Sequence, residues 1–294
     1  MRQEISIIGG NVAGLSAAYH LSKKGFLVTV YEKKIWNKPC GGAISLEFER
    51  YLREELAIEL EEYDPIVPSL RVGLWSGRYV EDEGVFTVNT RYDLQKKIIE
   101  KLREELGIDI IEKYVSTSDK SIFSPQTVVA TGYSGFTREI MEQKFMDRMF
   151  IQRFDGKLGC NHPNAHLIVL DNRVMGYGWI FIGKNSYFNI GFGADVSKEV
   201  LSERYYSFIE MVNRRYGYEI DPIKAKPRRW VLPLPVHKAK YPVAKVRNGV
   251  EFIGVGDVLG LAHPITGAGI EPAWQSGWVL AASVNSAGNK IGPP

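Results

Sequence analysis

The sequence predicts an α/β protein in which a second domain, built on an antiparallel sheet, is inserted into the first. Three observations predict it. The chain opens on a strand, a glycine turn, a helix and a second strand. Another glycine-rich turn follows a strand close to the other end, and the stretches between are dominated by strand-like alternation of apolar residues.

The opening unit comes first. Residues 4 to 8, Glu-Ile-Ser-Ile-Ile, are a short apolar run of strand type, followed by Gly9-Gly10-Asn11-Val12-Ala13-Gly14. Leu15 to Lys24 carries apolar residues at helical spacing, Gly25 is placed to close that helix, and Leu27 to Tyr31 is rich in β-branched residues. Glu32 ends the second strand, with Lys33 behind it. This is the order of a Rossmann-type βαβ unit, with an acidic residue about 20 positions past the glycines. Gly9 permits the tight turn and Gly14 lets helix and strand pack closely. The backbone N–H groups of the first helical turn, around Ala13, offer a partial positive charge to a pyrophosphate. Glu32 can accept the hydroxyls of an adenosine ribose, and its charge repels a 2′-phosphate. One position departs from G-x-G-x-x-G: Asn11 stands where the second glycine belongs. Asn tolerates positive φ better than most residues, so the turn is expected to survive with a side chain near the phosphates.

Composition narrows the class. The 37 basic and 34 acidic residues of the 294-residue chain leave a formal charge of only +3, which gives no case for nucleic acid as a partner. Two cysteines, Cys40 and Cys160, make no disulfide framework and no zinc motif. His162 and His166 are spaced like a metal pair, but Pro163 lies between them and no third ligand is evident, so no metal is expected. Neither a signal segment nor an apolar stretch of membrane-spanning length is visible. A cytoplasmic protein is expected, with peripheral membrane contact left open.

Near the other end, Val250 to Val255 reads as a strand. It leads into Gly256-Asp257-Val258-Leu259-Gly260-Leu261-Ala262-His263-Pro264-Ile265-Thr266-Gly267-Ala268-Gly269-Ile270, and a helix is expected from Glu271 to about Ser283. An Asp directly after a strand can hydrogen-bond ribityl hydroxyls. Glycines let backbone pass a flat ring system, and a helix N-terminus favours the negative charge of a reduced flavin.

The early glycine turn paired with this late GD…PxxGxGI segment resembles the flavoprotein superfamily of the aromatic hydroxylases and geranylgeranyl reductases. That resemblance implies FAD as cofactor and a Rossmann-type FAD-binding domain with an inserted antiparallel-sheet substrate domain. It also implies that Arg91, opening a helix that runs through Arg103, reaches the FAD phosphates or adenosine side, an ordinary surface Arg being the other reading. Ala130-Thr131-Gly132 is similar to the strand-to-turn element on the adenine side. Lys38-Pro39-Cys40-Gly41-Gly42-Ala43-Ile44 resembles the segment that runs beside the flavin in archaeal geranylgeranyl reductases. Tyr177-Gly178-Trp179-Ile180-Phe181 matches that family's aromatic motif and is followed by Asn189-Ile190-Gly191-Phe192-Gly193. Ile182 and Gly183 depart from the family pattern, and the family continues beyond the last helix, so the chain is expected to be C-terminally short of it.

The residues agree with the resemblance. Tyr177, Trp179 and Phe181 alternate on a strand and share one face. Such an aromatic wall suits a long apolar or lipid substrate, since each buried CH₂ is worth about 0.8 kcal/mol. The other reading is a plain core sheet. Ser76-Gly77 joins two paired strands, Leu70 to Trp75 and Arg78 onward, and Ser197 to Tyr216 is helical, with Val200, Leu201, Phe208, Ile209 and Val212 on its apolar side. The expected boundaries are 1–64, 92–135 and 247–294 for the FAD-binding domain, and 65–91 and 136–246 for the substrate domain.

Candidate chemistry rests on Cys40, Tyr177, Trp179 and His263. Cys40 is a redox thiol, a proton donor or a small packing residue. His263 stabilises reduced flavin or caps its loop. Tyr177 donates a proton or shapes the wall. Cys160 reads as structural. No second nucleotide motif is visible, so electrons are expected from an external donor, NAD(P)H or a small redox protein. The expected activity is reduction of geranylgeranyl double bonds in archaeal-type lipids by hydride transfer from reduced flavin. Alternatives are an aromatic-compound monooxygenase, and a flavin-binding electron carrier or partner subunit without its own lipid site.

Overall fold

The computed structural model describes residues 2–34, 40–60, 68–143, 147–159, 163–234, 243–263 and 266–283. The chain divides into two compact units: Met1–Trp36, Gln95–Asp147 and Pro233–Pro294 form one, Asn37–Leu94 and Arg148–Leu232 the other. Elements are numbered along the chain.

The first unit is built on a six-stranded sheet. It holds β1 (Glu4–Ile8), α1 (Val12–Lys23), β2 (Leu27–Glu32), most of α3 (Arg91–Leu106), β7 (Asp109–Glu112), β8 (Gln126–Val129), α4 (Gly135–Ile140), β14 (Ala244–Arg247), β15 (Val250–Gly254) and α6 (Ile270–Ala282). The strand order is β14-β15-β8-β1-β2-β7, parallel throughout except for β14. Ile5, Ile7 and Ile8 are all buried, as the inner strand of a parallel sheet covered on both faces requires. α1 and α6 cross closely. A side chain at Gly277 would come within 2.5 Å of the Ala17 amide nitrogen, and Ser16 Oγ donates to the Trp274 carbonyl at 2.6 Å.

The second unit holds β3 (Ala43–Ser45), α2 (Leu46–Leu56), β4 (Ser69–Leu74), β5 (Tyr79–Asp82), β6 (Phe86–Val88), β9 (Asp147–Lys157), β10 (Ala165–Asp171), β11 (Gly176–Ile182), β12 (Tyr187–Ala194), α5 (Lys198–Tyr216) and β13 (Arg228–Leu234). Seven strands run in the order β13-β9-β12-β11-β10-β4-β5. The pairing is antiparallel from β9 through β10, as expected, but β4 lies parallel to β10. The predicted hairpin of β4 and β5 is present. A small pair, β3 with β6, had no counterpart in the sequence reading.

Period-two alternation separates the two faces of this sheet. Leu167, Val169, Ile180, Ile182, Phe188, Ile190 and Phe192 join Leu201, Phe208, Ile209 and Val212 of α5 in one core. Each such side chain contributes about 2 kcal/mol on burial, which outweighs any surface pairing on α5. Ser197 caps α5 by accepting from the Val200 N–H, and Gly217 ends it at φ +74°. Gly178 is small because a Cβ there would meet the Phe208 ring at 2.6 Å. The opposite face carries the aromatic residues.

The unit boundaries differ from the sequence reading in three places. α2, expected with the first domain, groups with the second, because β3 leads straight into it and pairs with β6. α4 and β14, expected in the insert, group with the first.

Candidate functional site

Three turns distant in sequence converge in the first unit. Gly9 takes φ +107°, and a Cβ on it would lie 2.5 Å from the Ala130 carbonyl oxygen and 3.1 Å from the Thr131 nitrogen. A side chain at Gly14 would run into the Gly9 carbonyl. Gly256 (φ +64°) leaves no room for a side chain beside the Ala13 methyl, 2.7 Å from where a Cβ would sit. The space above Gly132 and Gly269 is bordered by the Asp257 carboxylate, 3.8 and 3.9 Å from their would-be Cβ atoms. Thr131 and Thr137 share a hydroxyl hydrogen bond of 2.6 Å that closes the turn after β8.

Glu32 sits where the fingerprint requires it. Its Oε2 accepts the Gly10 N–H at 2.6 Å and its Oε1 the Lys34 N–H at 3.2 Å. A carboxylate has about four acceptor positions, so capacity for ribose hydroxyls remains. Lys33 is exposed and holds its ammonium 5.4 Å from the Tyr114 ring centre.

Asn11 corrects one expectation. The positive φ of the turn is carried by Gly9, whereas Asn11 is extended at φ −81°, ψ −178° and is the N-cap of α1. Its Oδ1 accepts from the Ala13 and Gly14 N–H groups at 3.0 and 3.3 Å, and its Nδ2 donates to the Ala130 carbonyl. An Asn at this place therefore serves as a brace between turn and strand. The Gly10 carbonyl is in turn held by Gln95 Nε2 of α3 at 2.5 Å. Gln95 was not singled out from the sequence; its signal is a polar residue on the buried stripe of Leu94, Ile98, Ile99 and Leu102.

In the late motif, Pro264 lies outside the described residues. His263 is exposed, its Nδ1 accepts the Thr266 N–H at 3.1 Å, and its backbone N–H donates to the Ala268 carbonyl at 2.8 Å. The ring thus organises its own loop, one of its two readings. Gly267 takes φ +66° within that loop, and Ile270 opens α6.

The second unit assembles the remaining candidates. Tyr177, Trp179 and Phe181 form a continuous wall, with ring centres 5.7 and 6.1 Å apart along the strand. Gly191 stands opposite Trp179 and is glycine because the indole occupies the place of its side chain. The Cys40-Gly41 backbone rests on this wall: a Cβ at Gly41 would meet Phe181 at 3.0 Å and Trp179 Nε1 at 3.7 Å. Gly42 (φ +74°) accepts from the Asn89 N–H at 3.0 Å, and Ala43 pairs with Val88. Burial, with the Cys40 thiol adding to it, pushes the Tyr177 phenol up to about 12.

Arg91 opens α3, as predicted. Among the described residues, its Nε and both amide atoms of buried Asn89 have no hydrogen-bond partner. Buried polar groups are rarely left so, and an unmet donor on a guanidinium suits an anionic ligand. His166 lies on β10, buried between Phe86 and Phe181. Its Nδ1 accepts the Ile182 N–H at 3.0 Å and its Nε2 lies 3.3 Å from the Phe86 carbonyl, which it meets as a donor. Burial lowers its pKa to about 4. No cluster suited to a metal occurs among the described residues. His162 and Cys160 lie outside them.

Comparisons with known proteins bear on the fold. The family of NAD(P)-binding Rossmann-like domains is matched over residues 7–56. The digeranylgeranylglycerophospholipid reductase of Sulfolobus acidocaldarius is 25% identical over 331 residues, spanning 98% of this chain and 70% of that protein. A geranylgeranyl bacteriochlorophyll reductase-like protein from Thermoplasma acidophilum superposes with a TM-score of 0.72 at 20% identity, over 96% of this chain and 78% of the other. The flavin-dependent halogenase CmlS shares the fold with a TM-score of 0.67 at 18% identity, over 96% of this chain and 58% of that one. Fold and converging turns thus define the class, an FAD-dependent oxidoreductase with a Rossmann-type domain. Within that class the chain is similar to geranylgeranyl reductases.

Proposed function

We propose that this protein reduces the double bonds of isoprenoid chains, with geranylgeranyl glycerophospholipids of the archaeal type as its substrate class. The observation that carries the reading is the aromatic wall of Tyr177, Trp179 and Phe181 with the Cys40-Gly41 backbone laid against it. An extended apolar chain gains most from a flat, dry surface of this kind.

The turns of the first unit fit FAD. Gly9, Gly10, Ala13 and Gly14 would pass the pyrophosphate, Glu32 the adenosine ribose, and Asp257 the ribityl chain. Reduced FAD supplies the hydride. The chain supplies position and a proton. Tyr177 keeps its proton on Oη throughout the neutral range, since burial holds its pKa near 12. Cys40 carries the second proton-bearing group against the same wall. An isolated alkene accepts hydride poorly, so a placed acid and exclusion of water both matter. Electrons come from NAD(P)H or a small redox protein. No described helix is long and apolar enough to cross a membrane, and we place the lipid encounter at the membrane surface.

The test is anaerobic. Protein reduced with dithionite is mixed with geranylgeranyl glycerophospholipid, and flavin absorbance and product mass are followed. Return of the oxidised flavin bands, with a gain of one H₂ per reduced double bond, is the expected result. Reduced flavin that stays bleached with the lipid unchanged would overturn the substrate assignment.

A further inference from the structure

Beside the aromatic wall, on the same face of the sheet, lies a chain of polar groups that the reading above does not use. Asp155 on β9 is paired with buried Arg153, whose Nη2 meets Oδ2 and whose Nε donates to Oδ1 at 3.2 Å. The same Oδ1 accepts Tyr187 OH and Asn189 Nδ2, each at 2.7 Å. Asn189 is fully buried. Its Oδ1 accepts the Trp179 indole N–H at 2.6 Å, and its Nδ2 also lies 3.4 Å from the Cys40 carbonyl. Strand register explains the meeting: Asn189 stands opposite Asp155 on one side and Phe181 on the other. One carboxamide thus touches the wall, the cysteine segment and a partly buried carboxylate.

We infer that Asn189, oriented by the Arg153–Asp155 pair, is a positioning residue that fixes the Cys40-Gly41 backbone and the Trp179 ring relative to each other. Asp155 is essential to this because an amide can rotate. An ionised carboxylate accepts only, so it selects the orientation in which Nδ2 faces Asp155 and Oδ1 faces the indole N–H. With the amide turned over, two pairs of like groups would oppose each other. Arg153 holds Asp155 in place. The inference extends the reductase reading but concerns an arrangement that exists without lipid.

The experiment uses the whole protein and needs no substrate. Alkylation of Cys40 by iodoacetamide is followed by peptide mass spectrometry, with hydrogen exchange of the β10 amides as the reference for general loosening. Asn189→Ala should speed labelling of Cys40 by about tenfold, the effect of losing one to two hydrogen bonds, and leave exchange of the β10 amides unchanged. Asn189→Asp keeps the acceptor for Trp179 but sets a second carboxylate against Asp155. The pair should share a proton, so the Cys40 rate relative to wild type at the same pH should be near one in acid and rise toward the Ala ratio in base. Cys40 rates in both variants equal to wild type, or Cys40 labelling and β10 exchange rising together in both, would overturn the inference. The lipid assay is read separately: a faster-labelled Cys40 in a chain that reduces no isoprenoid would retain the positioning role and remove only the substrate.

Discussion

The first unit makes its site from backbone, whereas the second makes its site from side chains. Around Gly9, Gly14 and Gly256, function rests on the absence of a Cβ and on the direction of N–H groups. At the wall, Arg153, Asp155, Trp179, Tyr187 and Asn189 come from three strands and meet only because register brings them together. A backbone site tolerates almost no added volume yet is indifferent to most neighbouring side chains. A side-chain site tolerates volume better but fails when one partner is left unmet.

The largest effect expected is therefore at the second site. Arg153→Met would leave Asp155 without its cation in a largely buried place and should cost about 4 kcal/mol of unfolding free energy. Denaturant unfolding measures this, and a loss under 1 kcal/mol would show the pair to be solvated in solution. Gly14→Ala comes next. The new methyl meets the Gly9 carbonyl, and despite the better helix propensity of Ala a loss of about 3 kcal/mol is expected, with weaker FAD binding by absorbance titration.

pH probes both units in the same direction. An unfolded histidine takes its proton near 6.5, but His166 in the folded chain takes it only near 4. Between these values the unfolded state binds more protons. The neutral ring's contribution is complete above the upper value and is lost as pH falls through the window, by about 2 kcal/mol at pH 5 relative to pH 8. His20, half-buried on α1, is lowered to about 4 by the same cause and adds to the trend. Melting temperature measured from pH 4 to 8 should fall less steeply in His166→Gln than in wild type. An equal slope would place the titration elsewhere.

Two smaller effects sharpen the contrast. Asn11→Gly leaves a residue tolerated at an N-cap but removes the hydrogen bond to the Ala130 carbonyl, so stability should fall by about 1.5 kcal/mol. The freed N–H groups of Ala13 and Gly14 become available to a phosphate, so FAD should bind at least as tightly. Weaker binding would make the Asn amide part of the phosphate site. Lys96→Ala removes an exposed pair with Glu100 on α3 and should change stability by about 0.3 kcal/mol, within the range of exposed pairs.

The same division decides what the sequence could reveal. Gly9, Gly14, Glu32 and the Gly256-Asp257 turn were legible because a fixed spacing on one strand–turn–helix path determines their geometry. The face shared by Tyr177, Trp179 and Phe181 was legible from period two. Asn189 was on the page only as the first residue of a motif, because its meaning depends on facing Asp155, 34 positions earlier, across a ladder whose register no local pattern fixes. Gln95 was hidden for a related reason: its partner, the Gly10 carbonyl, belongs to a distant turn. Asn11 was located correctly, but positive φ was assigned to it when Gly9, with no Cβ to hinder it, takes that conformation.

The central claim, that the converging turns of the first unit hold FAD, is tested most directly by the visible spectrum of the purified protein before and after reconstitution with FAD. Flavin bands that remain after gel filtration, at one FAD released per chain, are the predicted result. A protein that stays colourless after reconstitution, while still folded by circular dichroism, would contradict it.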